Sequence, residues 1–370
     1  MKFRYEKWKG DRFDSKNSTP FDSLWDLFKQ LLSLSGGEVE EAVRWLTELD
    51  QEYEITKQFG DGYGIGDFLD ELEKRGYLRF DDRNQQLVPT RKAGQSIRKS
   101  SLEELFSDIS AGQAGQHPAV NTGKGTERQP ETRLLRAGDD YSRIDASGTV
   151  LNVLRHSSLD RFDLREDDIS VHETDHNTST STVLLIDLSH SMILYGEDRI
   201  TPAKKVAMAL SELITTRFSG DSLDLVAFGN KAWKIETGEL PWLTAGPWHT
   251  NTLEALQMAR HTLQRRKNRN RQIIMITDGK PSCMIENGKF YRNSYGLDRK
   301  IVNRVINEAV LCKKEKITIT TFMIAQDPYL QSFVRELSDA NRGRAYFASP
   351  DRLGGYILHD YINNRIRNIR

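Results

Sequence analysis

The second half of the chain alternates apolar runs of strand length with segments of helix length. The first run covers residues 183–186, and three more follow at 223–228, 273–276 and 317–324. Runs without polar alternation predict strands buried on both faces, and the helices between them predict parallel neighbours. The sequence therefore predicts an α/β fold with a doubly wound, mainly parallel sheet. The functional edge of such a sheet lies at the carboxyl ends of its strands.

The first 110 residues show a different pattern. Apolar positions at helical spacing begin at Pro20, resume after Gly36-Gly37, and return near Gly66. Two strand-like stretches around a polar turn then precede a last helix, which makes the order resemble a winged helix. The third helix reads DFLDELEKRG and is more acidic than basic, so DNA phosphates would repel it. Protein docking is therefore favoured, and a winged-helix nucleic-acid-binding regulator stays as an alternative.

The composition between these regions predicts four parts. The helical, winged-helix-like domain covers residues 1–110 and the α/β domain residues 181–370. Residues 111–137 are rich in Gly, Gln and Thr, which predicts a flexible linker. Residues 138–180 are polar and acidic with short apolar islands, and they are expected to form a connecting segment.

Charge and hydropathy restrict the location and the partners. The 53 basic and 53 acidic side chains give a formal net charge of zero, which favours neither nucleic acid nor an anionic membrane as partner. No stretch approaches the roughly 20 apolar residues of a membrane span, and the amino-terminal residues contain no signal-peptide run. The two cysteines, Cys283 and Cys312, cannot form a disulfide framework and suit a reducing compartment. A cytoplasmic location is expected.

Small oxygen-bearing side chains occur where the predicted strands end. Asp187, Ser189 and Ser191 follow the first apolar run, Thr250 precedes a helix, and Asp278 follows the next strand. Carboxylates and hydroxyls are hard oxygen donors, which suit Mg²⁺, Mn²⁺ or Ca²⁺. The sequence therefore predicts a divalent-metal site built from these five residues.

The pattern D-x-S-x-S, T and D resembles the metal-ion-dependent adhesion site of von Willebrand factor A (VWA) domains. Aliphatic residues before the first aspartate and ITDGKP around the second strengthen the resemblance, which covers about residues 181–350. It implies that Ser189, Ser191 and Thr250 touch the metal directly and that both aspartates act directly or through water. The family spacing favours Thr250 over Thr252, which competes for the same role. Three neutral hydroxyls would leave the metal a position that an acidic side chain of a partner protein can fill.

Two longer segments narrow the resemblance. DLSHSMILYGEDRITPAKKVAMALSELI and MITDGKPSC are similar to bacterial CoxE-like and magnesium-chelatase D-type proteins. The usual partners of these proteins are AAA+ ATPases of the MoxR or magnesium-chelatase I type. The resemblance implies a metal-dependent protein-binding adaptor between such an ATPase and a client, and no enzyme activity.

A metal-dependent hydrolase or phosphatase using the same cluster is the alternative from another class. Aspartyl-phosphate chemistry expects a second carboxylate where Ser189 stands, and the sequence contains no GxSxG nucleophile motif. His190 and His249 flank the predicted site, and Trp242 and Trp248 stand in the segment before Thr250. His190 and His249 are expected to be loop residues, because imidazole prefers softer ions. Trp242 and Trp248 belong either to the rim or to the core, and the long loop at 281–297 is expected to influence partner choice.

Overall fold

The computed structural model of this chain describes most of its two folded regions. The described residues are 19–59, 62–112, 132–135, 144–154, 164–172, 179–196, 198–218, 220–268, 270–293, 296–324, 327–347 and, near the C terminus, 353, 354, 357, 360 and 361. Those within 19–112 and 179–361 belong to one compact unit, and those within 132–172 belong to a second. No helix in this described part combines the length and the apolar character that crossing a membrane requires.

The first segment of the larger unit is helical, as the sequence predicts. Its elements are α1 (Pro20–Leu34), α2 (Val39–Tyr53), α3 (Ile65–Lys74), β1 (Leu78–Asp81), β2 (Gln86–Pro89) and α4 (Arg91–Gly112). Strands β1 and β2 pair in antiparallel fashion. Helix α1 starts at a capping box, in which the side chains of Thr19 and Asp22 each accept the other residue's backbone N–H. Phe28 and Phe68 are fully buried and meet edge to face, which joins α1 to α3.

The second unit is small. Its elements are β3 (Thr132–Leu134), α5 (Ala146–Val153) and β4 (Ser170–His172). β3 and β4 form an antiparallel pair, and the Asn152 side chain donates to the Asp168 carbonyl 3.1 Å away. Apart from residues 111, 112 and 132–135, the predicted linker at 111–137 lies outside the described residues.

The rest of the larger unit is an α/β layer structure. Its elements are β5 (Thr180–Asp187), α6 (Ile200–Arg217), β6 (Ser222–Phe228), β7 (Ala232–Ile235), α7 (Thr252–Gln264), β8 (Asn270–Thr277), β9 (Cys283–Glu286), β10 (Lys289–Arg292), α8 (Arg299–Lys314), β11 (Ile317–Met323), α9 (Pro328–Asn341) and β12 (Arg344–Phe347). Six strands form one sheet in the order β12-β11-β8-β5-β6-β7. Only β7 runs antiparallel to its neighbour in this sheet, which confirms the predicted α/β fold with a mainly parallel sheet.

The central strand β5 is covered on both faces. All eight of its residues are buried. Leu184 and Ile186 join the core under α6, whereas Val183 and Leu185 join the core under α7, α8 and α9. Alternate residues of a strand face opposite sides of the sheet, so a continuous apolar run is what two covered faces require.

Two local features were not predicted. The short edge strand β7 follows a tight turn after β6, and the loop expected at 281–297 contains an antiparallel hairpin of β9 and β10. Asn287 and Gly288 form the hairpin turn with φ of 51° and 74°. This left-handed conformation at both positions is typical of the Asn-Gly turns that join two paired strands.

The helical segment packs on the α/β layer through α4 and α6. Ile97 of α4 belongs to the core under α6. The buried Lys204 of α6 donates its Nζ to the Ser33 carbonyl 2.7 Å away. Arg98 lies 3.5 Å from Glu212 with both side chains largely buried. Apolar packing and buried polar contacts therefore bind the two segments, although residues 113–178 separate them in the chain.

Trp242 gives a test of this contact, because its half-buried indole packs against both the core under α6 and the helical core. A side chain at Gly37 would lie 3.1 Å from the indole. We expect Trp242→Ala to lower the free energy of unfolding by about 3 kcal/mol, since it leaves a cavity between two segments. Urea unfolding followed by circular dichroism measures this change. Tyr329→Ala is the control, because its side chain is 69% exposed, and an equal loss in both variants would contradict the prediction.

Candidate metal centre

Three loops bring the predicted site residues to the carboxyl edge of the sheet. Asp187 is the last residue of β5, and Asp278 directly follows β8. These strands are neighbours in parallel register, with Ile186 opposite Ile276. Thr250 precedes Asn251, the capping residue of α7. The fold therefore places all three loops at one edge, because parallel strands end on the same side.

The Asp187 carboxylate is fully buried and is held by hydrogen bonds from the Ser189 side chain, the Ser189 backbone and the Thr277 side chain. One oxygen accepts from the Ser189 backbone N–H at 2.9 Å. The other accepts from the Thr277 hydroxyl at 2.6 Å, across the β5–β8 pair. Thr277 also accepts from the Gly279 N–H at 3.1 Å. These bonds fix the orientation of the carboxylate relative to the neighbouring strand.

The two serine hydroxyls connect the two aspartates. The Oγ atoms of Ser189 and Ser191 are 3.0 Å apart, and Ser191 hydrogen-bonds to Asp278. Asp278 is 2% exposed, and one of its oxygens lies 3.9 Å from the Arg199 guanidinium. Four of the five predicted ligands therefore form one connected cluster.

Thr250 is held next to this cluster by its backbone. Its N–H donates to the Ser282 hydroxyl at 2.9 Å, and its carbonyl accepts from Ser282 N at 3.0 Å and Cys283 N at 3.2 Å. The competing residue Thr252 is instead the first residue of α7. The loop that carries Ser189 and Ser191 is joined to the segment before Thr250, because the His190 N–H donates to the Trp248 carbonyl at 2.9 Å.

The Trp248 side chain packs beneath the loops of the candidate site. Its indole meets Trp233 edge to face, with ring centroids 5.5 Å apart. A side chain at Gly229 or Gly246 would lie 2.8 or 2.7 Å from Trp248 atoms, so the chain can pass only with glycine there. Of the two positions left open by the sequence, Trp248 packs on the core, and Trp242 packs between the helical segment and the α/β layer.

Burial places two acidic groups together away from water. Burial raises the pKa of Asp187 to about 7, with the nearby charge of Asp278 adding to the effect. Burial also raises the pKa of Asp278, against which its bond from Ser191 and the charge of Arg199 act. Two buried carboxylates are costly when both are ionised. A cation between them would remove this cost.

The donor set fits a hard divalent cation. Two carboxylates and three hydroxyls match the oxygen ligands of Mg²⁺ and Mn²⁺. His190 is exposed; burial lowers the pKa of the half-buried His249, and the charges of Arg292 and Lys280 lower it further. In the described part of the chain no three His, Cys, Asp or Glu side chains gather as a metal cluster. A metal here would therefore depend on the hydroxyls as well as on Asp187 and Asp278.

Sequence reasoning assigned no role to four residues that shape the site. Thr277, Ser282 and Arg199 contact the predicted ligands, and Gly279 adopts φ +90°, a conformation that favours glycine. Thr277 and Gly279 stand within the ITDG run and could have been found there. Nothing in the sequence signals the contacts of Ser282 and Arg199, because each joins loops distant along the chain.

The buried acid pair predicts a distinctive pH dependence in EDTA. The unfolded chain releases the Asp187 proton near its ordinary pKa of 3.8, whereas the folded protein holds it to about pH 7. The free energy of unfolding that protonated Asp187 contributes is therefore full below about pH 4 and is lost as the pH rises to about 7. Asp187→Asn mimics the protonated form. We expect this variant to gain a few kcal/mol relative to wild type between these pH values, in urea unfolding experiments. The exposed-residue variant Asp82→Asn is the control, and parallel pH profiles for wild type and Asp187→Asn would refute the prediction.

The chain has relatives in mycobacteria. It is 29% identical over 327 residues to the protein named uncharacterized protein Rv0959 of Mycobacterium tuberculosis, and equally to uncharacterized protein Mb0984 of Mycobacterium bovis. Each alignment covers 85% of this chain and 48% of the relative. The chain therefore spans about half the length of these curated relatives.

Solved structures resemble part of the chain. The vWF domain of the type V pili tip protein Mfa5 from Porphyromonas gingivalis aligns with TM-score 0.43 and 16% identity, over 52% of this chain and 97% of that one. The SpRpn10 VWA domain aligns with TM-score 0.35 and 19% identity, over 46% of this chain and 89% of that one. Matches at this level carry no information on what the chain binds.

Two family models match separate parts of the chain. Residues 127–174 match the third domain of Rv0959-like proteins. This match spans parts of the segments interpreted from the sequence as a linker and a connector. Residues 180–362 match the vWA domain of Rv0959-like proteins. The sheet order, the three loops at its carboxyl edge and this match agree, and the chain is a VWA-domain protein whose VWA domain occupies residues 180–362.

Proposed function

We propose that this protein is a divalent-metal-dependent protein-binding module and not an enzyme. The observation that carries the proposal is the buried cluster of Asp187, Ser189, Ser191 and Asp278 at the carboxyl edge of the sheet, with Thr250 in the adjoining loop. Mg²⁺ is the proposed ion, with Mn²⁺ or Ca²⁺ as substitutes that accept the same donors.

The ligand set favours binding over catalysis. A bound Mg²⁺ would supply a Lewis-acidic centre with an open position for a carboxylate from a partner protein. Thr277 and the Ser189 N–H hold the Asp187 carboxylate in place, and the backbone bonds to Ser282 hold Thr250. Hydrolysis would additionally require a positioned nucleophile or base. Both aspartates are already engaged within the cluster, which supports a binding role.

The proposed partners are an AAA+ ATPase of the MoxR or magnesium-chelatase type and a client protein, in the cytoplasm. This part of the proposal rests on the sequence resemblance alone. The helical segment provides a second surface for such an assembly. On α3 the exposed charged residues are Asp67, Asp70, Glu73 and Lys74. An acidic exposed face supports protein docking over binding to phosphates.

The metal site is tested by titrating the protein with Mg²⁺ and Mn²⁺ in a calorimeter. We expect one ion per chain, and Thr250→Val and Asp278→Ala should weaken its affinity at least about ten-fold, because each removes a donor oxygen. Thr252→Val is the matched control and should bind as wild type does, since Thr252 belongs to α7. Equal affinity in Thr250→Val and Thr252→Val would contradict the assignment of Thr250.

The adaptor role is tested by a pull-down from bacterial lysate with wild type in Mg²⁺, wild type in EDTA, and Asp278→Ala in Mg²⁺. The proposal expects an AAA+ ATPase to be retained only in the first condition. Retention of the same proteins in all three conditions would show that the site is not the docking surface. Circular dichroism of the variant controls for loss of fold.

A further inference from the structure

An open cleft lies between the β9–β10 hairpin and the turn from β6 to β7. Its volume is about 460 Å³, and Asn230, Lys231, Ile285, Gly288 and Phe290 line it. We name this space the hairpin cleft. None of these five lining residues is one of the predicted metal ligands.

The hairpin cleft adjoins the candidate metal centre. The side chain of Asn230, which lines the cleft, accepts from the His249 N–H at 2.8 Å, and its carbonyl accepts from the Asn251 side chain at 3.0 Å. These two partners are the chain neighbours of Thr250. On the other side of the cleft, the Phe290 ring lies 6.3 Å from the His249 ring. A molecule bound in the cleft would therefore reach the Thr250 loop.

Two large apolar side chains of the cleft are open to solvent. Ile285 is 37% exposed and Phe290 47% exposed. They are directly opposite each other in the β9–β10 register, so they share one face of the hairpin. Adjacent exposed apolar side chains next to polar loops are typical of a protein-interaction surface.

The charges around the hairpin cleft favour an acidic occupant. Lys231 lines the cleft, and an Arg292 nitrogen lies 3.4 Å from the His249 ring. The acidic residue of this hairpin, Glu286, is bridged to Lys300 at 2.7 Å and to Arg304 at 2.5 Å. Its charge is thereby compensated on the side of α8. Glu254, which accepts from the Asn251 side chain at 2.9 Å, offsets part of the charge of Lys231. The positive charges of Arg292 and Lys280 both act on His249, so the surface beside the Thr250 loop is cationic.

We infer that the hairpin cleft, together with the metal centre, binds an acidic segment of a partner protein that carries a bulky apolar side chain close to its metal-binding carboxylate. The inference rests on the proposed function and adds what selects the partner. The apolar side chain packs on Ile285 and Phe290, while the carboxylate completes the metal centre. The Phe290 ring lies 6.3 Å from the ring of His249, the residue before Thr250, so the two side chains of the partner are close together in its sequence.

The test pans a displayed library of short random peptides on the full chain in Mg²⁺, with elution by EDTA. Enriched peptides should contain Asp or Glu with Phe, Leu, Ile or Trp close by. Their affinity is then measured by fluorescence anisotropy against wild type, against Ile285→Ser/Phe290→Ser and against Asp278→Ala. The control is Leu34→Ser/Tyr329→Ser, which alters two exposed apolar side chains elsewhere.

We expect the hairpin double variant to weaken peptide binding by about ten-fold or more, while its Mg²⁺ affinity and that of the control stay at the wild-type value. Peptides enriched for the acid alone, or bound equally by the hairpin variant, would overturn the inference and leave the proposed function standing. If no peptide binds in a Mg²⁺-dependent way, the inference is overturned. If the wild-type protein does not bind Mg²⁺, the proposed function is overturned as well. A wild-type dimer that the hairpin variant converts to a monomer in sedimentation would assign the cleft to a second copy of the chain and also overturn it.

Discussion

Burial of the central strand on both faces is the constraint from which the candidate site follows. All eight residues of β5 are buried, so polar side chains with a chemical role have room only where the strand ends. Asp187 stands at that end, and its bond from Thr277 ties it to the neighbouring strand. The carboxylate is thereby positioned by the sheet register itself. The loops after β5 and β8 therefore lie close together, because each begins at the end of a strand on the same edge of the sheet.

Much of this architecture is readable from the sequence because its signals are local. Apolar runs without polar alternation predicted the buried strands, and the helices between these runs predicted that the strands are parallel. The helix predicted to follow Thr250 is observed as Thr252–Gln264, and the predicted strand at 317–324 as Ile317–Met323. The D-x-S-x-S pattern likewise lies within five consecutive residues of one loop. Its assignment as a metal site stays a prediction that rests on the chemistry of its donors.

The features that escaped prediction depend on contacts between distant parts of the chain. Arg199 approaches Asp278, and Ser282 bonds to Thr250, across loops that no local pattern relates. The packing of α4 on α6 is of the same kind, because an amphipathic helix shows which face is apolar but not what covers it. The β9–β10 hairpin is a different case. Its Asn287-Gly288 turn is a recognised hairpin signal, and it was present in the sequence.

The contact between Lys204 and Ser33 also has a consequence for synthesis of the chain. These residues are 171 positions apart, and α6 starts only at Ile200. While a ribosome adds residues 113–199, the face of α4 that carries Ile97 has no α6 to cover it. At ordinary rates of translation this interval is on the order of ten seconds. During translation each chain therefore passes through a stage in which the apolar face of α4 is exposed before α6, which covers it, has been made.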